Sequence, residues 1–206
     1  KIYKENFFLS LVKQSNFLAR NLNNLLYEPS KIICCSAIIL AEMVFEENDF
    51  NYKNGIKELE KIVKSYFDES GFPKSRNPEE VFICLKYLIL IREWLKEGQK
   101  PIPDFLNQII SKCGSCYAFL SCANKQFPLF NGATEINHRD YDIFLKTLKY
   151  KFNIKNQKVG DLIKIKKKKF EFFIDCGNPP PNIYAKYYQA GCLAFELISN
   201  KQKVIC

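Results

Sequence analysis

Cysteine thiols are the most reactive side chains in this 206-residue chain, which has nine cysteines and one histidine. Cys113 and Cys116 form a lone C-x-x-C motif, whereas a zinc site needs a second pair of ligands at similar spacing. Both thiols share a helical stripe with apolar residues such as Leu106 and Ile109. We therefore expect buried, reduced thiols and no metal or redox site. His138 stands at a predicted helix start, which favours a surface or capping role.

Three polar residues could bind a sugar or a carboxylate. Arg76 has the planar fork that holds a carboxylate through two hydrogen bonds, and a salt bridge at the entry to the next helix is an equal alternative. Asn77 precedes Pro78 and fits the N-cap of that helix better than a ligand. Asn131 could bond a sugar hydroxyl, or it could form the turn before Gly132.

Lysine is concentrated in one segment. Residues 149–169 hold nine lysines and one acid, Asp161, which accounts for +8 of the formal net charge of +9. Such a block suits a polyanionic partner or a solvated turn, and the turn is favoured for Lys166–Lys169. Few aromatics interleave, Phe152 and Phe170 among them, and no recognised motif is present, so a nucleic-acid partner is the weakest interpretation. No apolar stretch is long enough to predict a membrane span.

Residues 1–150 have the periodicity of helices separated by short breakers. Ile32–Phe45 is apolar nearly all round, as in a helix buried between neighbours. Asn77, Pro78 and Glu80 mark the start of a helix that ends at Gly98. Further helices are predicted at about 55–67, 103–121 and 138–150. Short loops between helices indicate paired hairpins, as in helical toroids and solenoids.

From residue 159 the pattern becomes that of strands, predicted at 159–166, 170–176, 192–198 and 203–206. The Gly177–Pro181 run separates two hairpins. Because no helices alternate with these strands, we predict an α+β fold with a helical domain at 1–155 and an antiparallel β-sheet domain at 156–206. The chain lacks an initiator Met and ends within a predicted strand, so we expect a fragment in which both domains are partial.

Three segments carry distinctive strings: SGFPKSRNPEE (70–80), FPLFNGATE (127–135) and DCGNPPP with YYQAGCLAFEL (175–197). Over roughly residues 20–206 they resemble, in order and spacing, segments of bacterial heparinase II/III-like polysaccharide lyases. The first is similar to that family's turn before Ser-Arg-Asn-Pro and a long helix. The second resembles its Leu-Phe-Asn segment, and the third its Pro-rich loop and following strand.

The resemblance implies the end of an (α/α) toroid followed by the first strands of an antiparallel β-sandwich. It also implies β-elimination at a uronic acid of an acidic polysaccharide, heparin-, heparan- or alginate-like. In that reaction an Asn neutralises the carboxylate, and a Tyr or His moves the proton. The family implies a bacterial protein of the cytoplasm or periplasm, with no cofactor and no metal in this part.

Carried over by position, Asn24 matches the toroid's catalytic Asn. Gln189 takes the place of a catalytic His, and Leu25 and Pro73 replace two further His residues. Gln is no base near neutral pH, so proton transfer is left to Tyr187, Tyr188 or a residue beyond Cys206. An isolated tyrosine has a pKa of about 10 and needs a nearby cation to act as a base, and Arg76 is the candidate for that cation.

The resemblance therefore implies two catalytic residues, Asn24 and Tyr188, with Tyr187 as the alternative base. The predicted substrate-binding residues are Arg76, Asn77, Asn131 and Gln189. Two functions remain open on this fold. One is a lyase acting on acidic polysaccharide, and the other is an acidic-polysaccharide-binding protein that has lost catalysis with its histidines.

Overall fold

The computed structural model describes residues 2–45, 49–122, 126–135, 139–154, 158–189 and 191–205. Within these residues the fold is α+β, with six α-helices followed by five β-strands, as the order of the sequence patterns predicts. The helices are α1 (Ile2–Asn21), α2 (Glu28–Phe45), α3 (Asp49–Tyr66), α4 (Pro78–Glu97), α5 (Asp104–Leu120) and α6 (Arg139–Thr147). The strands are β1 (Lys158–Val159), β2 (Leu162–Lys167), β3 (Phe170–Asp175), β4 (Phe195–Ser199) and β5 (Gln202–Ile205). Short 3-10 helices cover Leu22–Asn24 and Asn182–Tyr184.

The start of α4 follows from its cap. The Asn77 side-chain oxygen accepts a hydrogen bond from the Glu79 amide at 2.8 Å, which confirms the predicted N-cap. The Glu80 carboxylate accepts a hydrogen bond from the Ser75 hydroxyl, and that hydroxyl accepts one from the Asn77 amide at 3.3 Å. Two orphan amides at the helix start are thus satisfied by side chains.

No helix among the described residues combines the length and apolar composition needed to cross a membrane.

Three other helix boundaries differ from the prediction. Helix α2 begins at Glu28, four residues before the predicted Ile32, because an acid in the first turn favours a helix N-terminus. Helix α3 begins at Asp49, and residues 49–54 were missing from the prediction. Helix α6 ends at Thr147 because Lys149 takes a left-handed conformation with φ 62°. Its predicted start, His138, lies outside the described residues.

The chain divides into two compact units. The first comprises residues 1–66 and 83–110, and the second comprises residues 67–82 and 111–206. In the first unit, Ile32, Cys35 and Ile39 of α2 and Leu59 of α3 are fully buried. The predicted boundary near residue 155 stays a prediction. All the strands, and every predicted site residue except Asn24, belong to the second unit.

The sheet is an antiparallel meander in the order β1-β2-β3-β4-β5. The single strand predicted over 159–166 is wrong, because Gly160 and Asp161 form a left-handed turn (φ 52° and 62°) that separates β1 from β2. Strand β4 begins at Phe195 rather than at Cys192, since Leu193 has φ 64°. The turn after Ser199 is confirmed. Cys206, in the last predicted strand, lies outside the described residues.

One face of the sheet, here called the buried face, carries both charged and apolar residues. Along each strand they alternate with the residues of the other face. Its members are Leu162, Lys164, Lys166, Glu171, Phe173, Asp175, Glu196, Ile198 and Lys203. Its carboxylates are compensated: Lys166 pairs with Glu171 at 2.7 Å and Lys203 with Glu196 at 3.1 Å. The outer face is mostly apolar, with Ile165, Phe170, Phe172 and Phe195, and it carries Lys167 at one end.

Lys164 connects the buried face to the end of α5. Its ammonium donates to the Phe119 and Ser121 carbonyls at 2.9 and 2.8 Å, and it lies 4.9 Å from the centre of the Phe173 ring. The last carbonyls of a helix need such donors. Burial lowers the pKa of Lys164. Within the lysine-rich segment 149–169, Lys164 therefore has a structural role, unlike the exposed lysines near the β2–β3 turn.

Candidate functional site

The loop that enters α4 is organised by one carboxylate. The Asp68 side-chain oxygen accepts hydrogen bonds from the Ser70 amide at 2.9 Å, the Ser70 hydroxyl at 2.7 Å and the Phe72 amide at 2.8 Å. Phe67 and Pro73 form an isolated antiparallel bridge across the loop. The segment that carries the Ser-Arg-Asn-Pro string is thus held in one defined conformation.

The C-x-x-C pair lies against this loop. The Cys113 thiol donates to the Gly71 carbonyl at 3.2 Å, and the Cys116 thiol donates to the Ser70 carbonyl at 3.3 Å. Both thiols are buried, as their helical stripe predicted. Among the described residues, no group of three or more His, Cys, Asp or Glu could hold a metal ion. The spacing of the two cysteines places both thiols along one side of α5, facing the loop.

Gly71 is the tightest point of the loop. It has φ +86°, and a Cβ there would lie 2.5 Å from the Lys112 Cβ and 2.9 Å from the Cys113 amide nitrogen. Gly71→Ala is therefore expected to lower the free energy of unfolding by about 3 kcal/mol, through backbone strain and overlap with backbone atoms. Urea unfolding measures the change.

Gly98→Ala is the matched control for that substitution. A Cβ at Gly98 would meet the Met43 methyl group at 2.4 Å, but this is the flexible end of a side chain, and Gly98 has no left-handed backbone. We expect a loss below about 1 kcal/mol. Equal losses for the two variants would contradict the close-approach explanation.

Arg76 forms a buried ion pair with Asp175 at the end of β3. Only 7% of Arg76 and 1% of Asp175 are exposed. Asp161, which is about half exposed, lies 3.7 Å from the guanidinium. The salt bridge that the sequence left open for Arg76 is thus present, and its main partner comes from the sheet. Asp175 did not appear among the predicted site residues.

Asn131 joins the same pair. Its amide nitrogen donates to the second Asp175 oxygen at 2.9 Å and to the Arg76 carbonyl at 3.0 Å. The Gly177 amide donates to Asp175 at 3.0 Å, and a Cβ on Gly177 would overlap the guanidinium. We call Arg76, Asn131 and Asp175 the buried polar cluster. It connects the loop before α4, the segment before α6 and the end of β3.

The cluster is strained and incompletely satisfied. Arg76 and Asn131 have φ of 65° and 53°, a region that non-glycine residues rarely occupy. The Arg76 Nε and the Asn131 Oδ1 are buried with no hydrogen-bond partner among the described residues. Backbone strain and unmet polar groups of this kind collect at functional sites. This observation favours a functional region here over a purely structural contact.

The segment after the Pro-rich run packs beside Asn131. The Tyr187 carbonyl oxygen lies 2.6 Å from where a Cβ on Gly132 would be, and the Asn131 Oδ1 lies 3.1 Å from that position on Gly191. The Tyr188 amide donates to the Ala185 carbonyl at 3.0 Å, its side chain is half-buried, and Gln189 is exposed. The structure thus brings Gly191 next to Asn131, and Tyr187 next to Gly132, which follows Asn131 in the chain.

The remaining predicted residues lie elsewhere. Asn77 serves as the N-cap of α4, one residue after Arg76. Asn24 belongs to the first compact unit, where it is exposed and its amide donates to the Asn21 side-chain oxygen at 3.1 Å. The structure therefore groups Arg76, Asn77, Asn131, Tyr188 and Gln189 in the second unit.

A cavity of about 550 Å³ is lined in part by Arg76. Its wall is mixed in charge and includes Asp68, Lys74, Lys158, Asp161 and the run Pro179–Pro181. Tyr188 does not line this cavity. Arg76 already faces Asp175, so the cavity gives no support to Arg76 as the cation that activates Tyr188.

Thiol reactivity should separate the exposed cysteines from the buried ones. Burial raises the pKa of Cys35, Cys116 and Cys122 to about 12, whereas Cys176 and Cys192 are exposed. Thiolate is the reactive form, so at pH 8 we expect a disulfide reagent to label the buried thiols about a thousandfold more slowly. In urea all should react together, and fast labelling of Cys116 in the folded chain would contradict its burial.

Comparison with known proteins gives one consistent result. No family model and no curated protein sequence matches the chain. Among solved structures, a heparinase III has a TM-score of 0.75 at 12% identity, covering 98% of this chain and 37% of its own. The heparan sulfate lyase HepC from Pedobacter heparinus has a TM-score of 0.67 at 12% identity, covering 84% of this chain and 31% of its own. A second heparinase III reaches 0.65 at 15% identity.

At such identities the likeness establishes the fold and nothing finer. The chain spans about a third of the length of the solved structures that it matches. Its helices and antiparallel sheet occur in the order that the resemblance of the three sequence strings implied. Over the part that it spans, this chain has the heparinase III fold, with toroid helices followed by an antiparallel sheet.

Proposed function

We propose that the protein containing this chain cleaves a uronate-containing acidic polysaccharide by β-elimination. The observation that carries this proposal is the match to heparinase III over 98% of the chain, with a TM-score of 0.75. Another matching structure is described as a heparan sulfate lyase, so heparan sulfate and heparin are the first substrates to test.

The reaction needs three functions from the protein. A donor must neutralise the uronate carboxylate so that the C5 proton becomes acidic. A base must then remove that proton, and an acid must protonate the oxygen that leaves C4. The electron pair of the C5–H bond forms the C4–C5 double bond as the C4–O bond breaks. We assign proton transfer to Tyr188 and carboxylate neutralisation to Asn24.

The buried polar cluster supports this site without entering the reaction. Because Arg76 is paired with Asp175 and both are buried, Arg76 acts by fixing the loop next to Asn131. Asn131 lies beside Gly191, and the adjacent Gly132 packs against Tyr187, so Asn131 acts as a positioning residue for Tyr188 and Gln189. Gln189 is exposed, so its amide can bond a sugar hydroxyl.

The test is a panel of acidic glycans incubated with the full-length protein. Elimination creates a double bond conjugated with the carboxylate, so the product absorbs in the ultraviolet, whereas hydrolysis gives no such absorbance. We expect product from heparan sulfate or heparin, and alginate is the next substrate. No product from any member of the panel would contradict the lyase proposal.

A second candidate is a protein that binds acidic polysaccharide without cleaving it. It is favoured by Gln189, which cannot act as a base, and by the internal pairing of Arg76 with Asp175. The same panel separates the two candidates. Binding measured by calorimetry without any unsaturated product would support this second function.

A further inference from the structure

Four exposed lysines lie at one end of the sheet, at two turns that adjoin each other. The Asn200 amide donates to the Lys169 carbonyl at 3.0 Å, so the β4–β5 turn lies against the β2–β3 turn. This contact places Lys201 beside the run Lys167–Lys169, and all four lysines are exposed. The run Lys167–Lys169 thus gains a fourth exposed lysine, Lys201, from 32 residues further along the chain.

The charge of this surface is not compensated locally. The carboxylates of the sheet, Glu171, Asp175 and Glu196, are buried on the opposite side of the pleat, and two of them already pair with Lys166 and Lys203. Among the described residues, none of the four exposed lysines forms an ion pair with a carboxylate. Four neighbouring ammonium groups repel one another, and a polyanion would relieve that repulsion.

An exposed aromatic ring adjoins the lysines. Phe170 pairs with Lys167 across the turn on one side and with Ser199 on the other, and 52% of it is exposed. A half-exposed ring next to a lysine offers an apolar face to a sugar ring, whose anionic groups the lysines can reach. Both features together fit an anionic glycan better than a solvated turn.

We propose that Lys167, Lys168, Lys169, Lys201 and Phe170 form a secondary binding surface for a sulfated or carboxylated polysaccharide. The surface lies at the far end of β3 from Asp175, about 17 Å along the strand, so it is separate from the segment that carries Tyr188. This proposal rests on the proposed function only in its choice of glycan. Its role is to hold a long chain while one of its uronates reaches the reactive site.

The test compares two variants of equal charge. In the first, Lys167, Lys168, Lys169 and Lys201 are replaced by Gln. In the control, the four exposed lysines of α3 that share its outer side, Lys53, Lys57, Lys61 and Lys64, are replaced by Gln. Affinity for heparin is measured against salt concentration, and circular dichroism checks that both variants keep their structure.

We expect the turn variant to bind heparin between about ten and a thousand times more weakly at 0.1 M salt, with a salt slope reduced by about three to four. The α3 variant should stay within about threefold of the unchanged protein. Equal losses of heparin affinity in both variants would mean that only the net charge matters, and this would overturn the proposal. So would an unchanged turn variant.

Two further measurements complete the test. Phe170→Ser should weaken heparin binding severalfold without changing the salt slope, because it removes a ring and no charge. Duplex DNA of matched charge that displaces heparin equally well would show a nucleic-acid surface and overturn the glycan assignment. Product formation on a short oligosaccharide, too short to span both places, should be unaffected by the turn variant. Failure of the elimination proposal and failure of the secondary-surface proposal can therefore be distinguished.

Discussion

Asp175→Asn is expected to lower the free energy of unfolding by about 3–5 kcal/mol, the cost of leaving a buried charge without its partner. The substitution keeps the shape of the side chain but removes the negative charge next to the Arg76 guanidinium. It also weakens the acceptor that serves the Asn131 and Gly177 donors. Urea unfolding monitored by far-ultraviolet circular dichroism measures the loss.

Asp161→Asn provides the control for that result. Asp161 is also an acid near Arg76, but it lies 3.7 Å away and 47% of its side chain is exposed, so solvent screens the interaction. We expect a change below about 1 kcal/mol. In a double variant, Arg76→Met with Asp175→Asn, most of the loss should be recovered, because no charge is then left unpaired. Similar losses for Asp175→Asn and Asp161→Asn would rule out the buried pair as the main stabilising contact.

Tyr188→Phe should reduce the rate of elimination by about 100- to 10,000-fold, the range over which a positioned proton-transfer group contributes to catalysis. The ring stays and only the ionisable oxygen is lost, so the half-buried packing of Tyr188 is retained. The measurement is the rate of ultraviolet absorbance gain with the full-length protein at saturating substrate. A fall in kcat with little change in KM would identify a role in the chemical step.

Tyr187→Phe is the matched control, because Tyr187 is the adjacent tyrosine and 50% of it is exposed. Its ring lies 5.2 Å from the Lys186 ammonium, a contact that Phe can keep. We expect less than threefold change in rate. If Tyr187→Phe abolishes product formation and Tyr188→Phe does not, the base has been assigned to the wrong tyrosine.

The parts of the fold that depend on local signals were predictable. Asn77 and Pro78 determine where α4 begins, and both act within one helical turn. The order of helices and strands follows from the change of period near residue 159. The Gly160–Asp161 turn was missed because apolar residues on both sides continue the strand pattern through it.

The buried polar cluster could not be derived in the same way. Arg76 and Asp175 are 99 residues apart, and no local pattern pairs an arginine with a carboxylate at that distance. One signal was available: Glu171, Phe173 and Asp175 alternate with Phe172 and Ile174 along β3. Two acids on the same face of an apolar strand, Glu171 and Asp175, indicate a face with internal partners. That pattern marks Asp175 as paired, although it does not identify Arg76.

The separation of Arg76 from Asp175 also matters while the chain is being made. The second compact unit is discontinuous in sequence, since residues 67–82 must meet residues 111–206. At about 5–20 residues added per second, a ribosome needs roughly 5–20 s to pass from Arg76 to Asp175. During that interval the loop before α4 has emerged without the carboxylate that neutralises it. Newly synthesised chains therefore expose an unpaired arginine and an unfinished loop to chaperones for several seconds before β3 arrives.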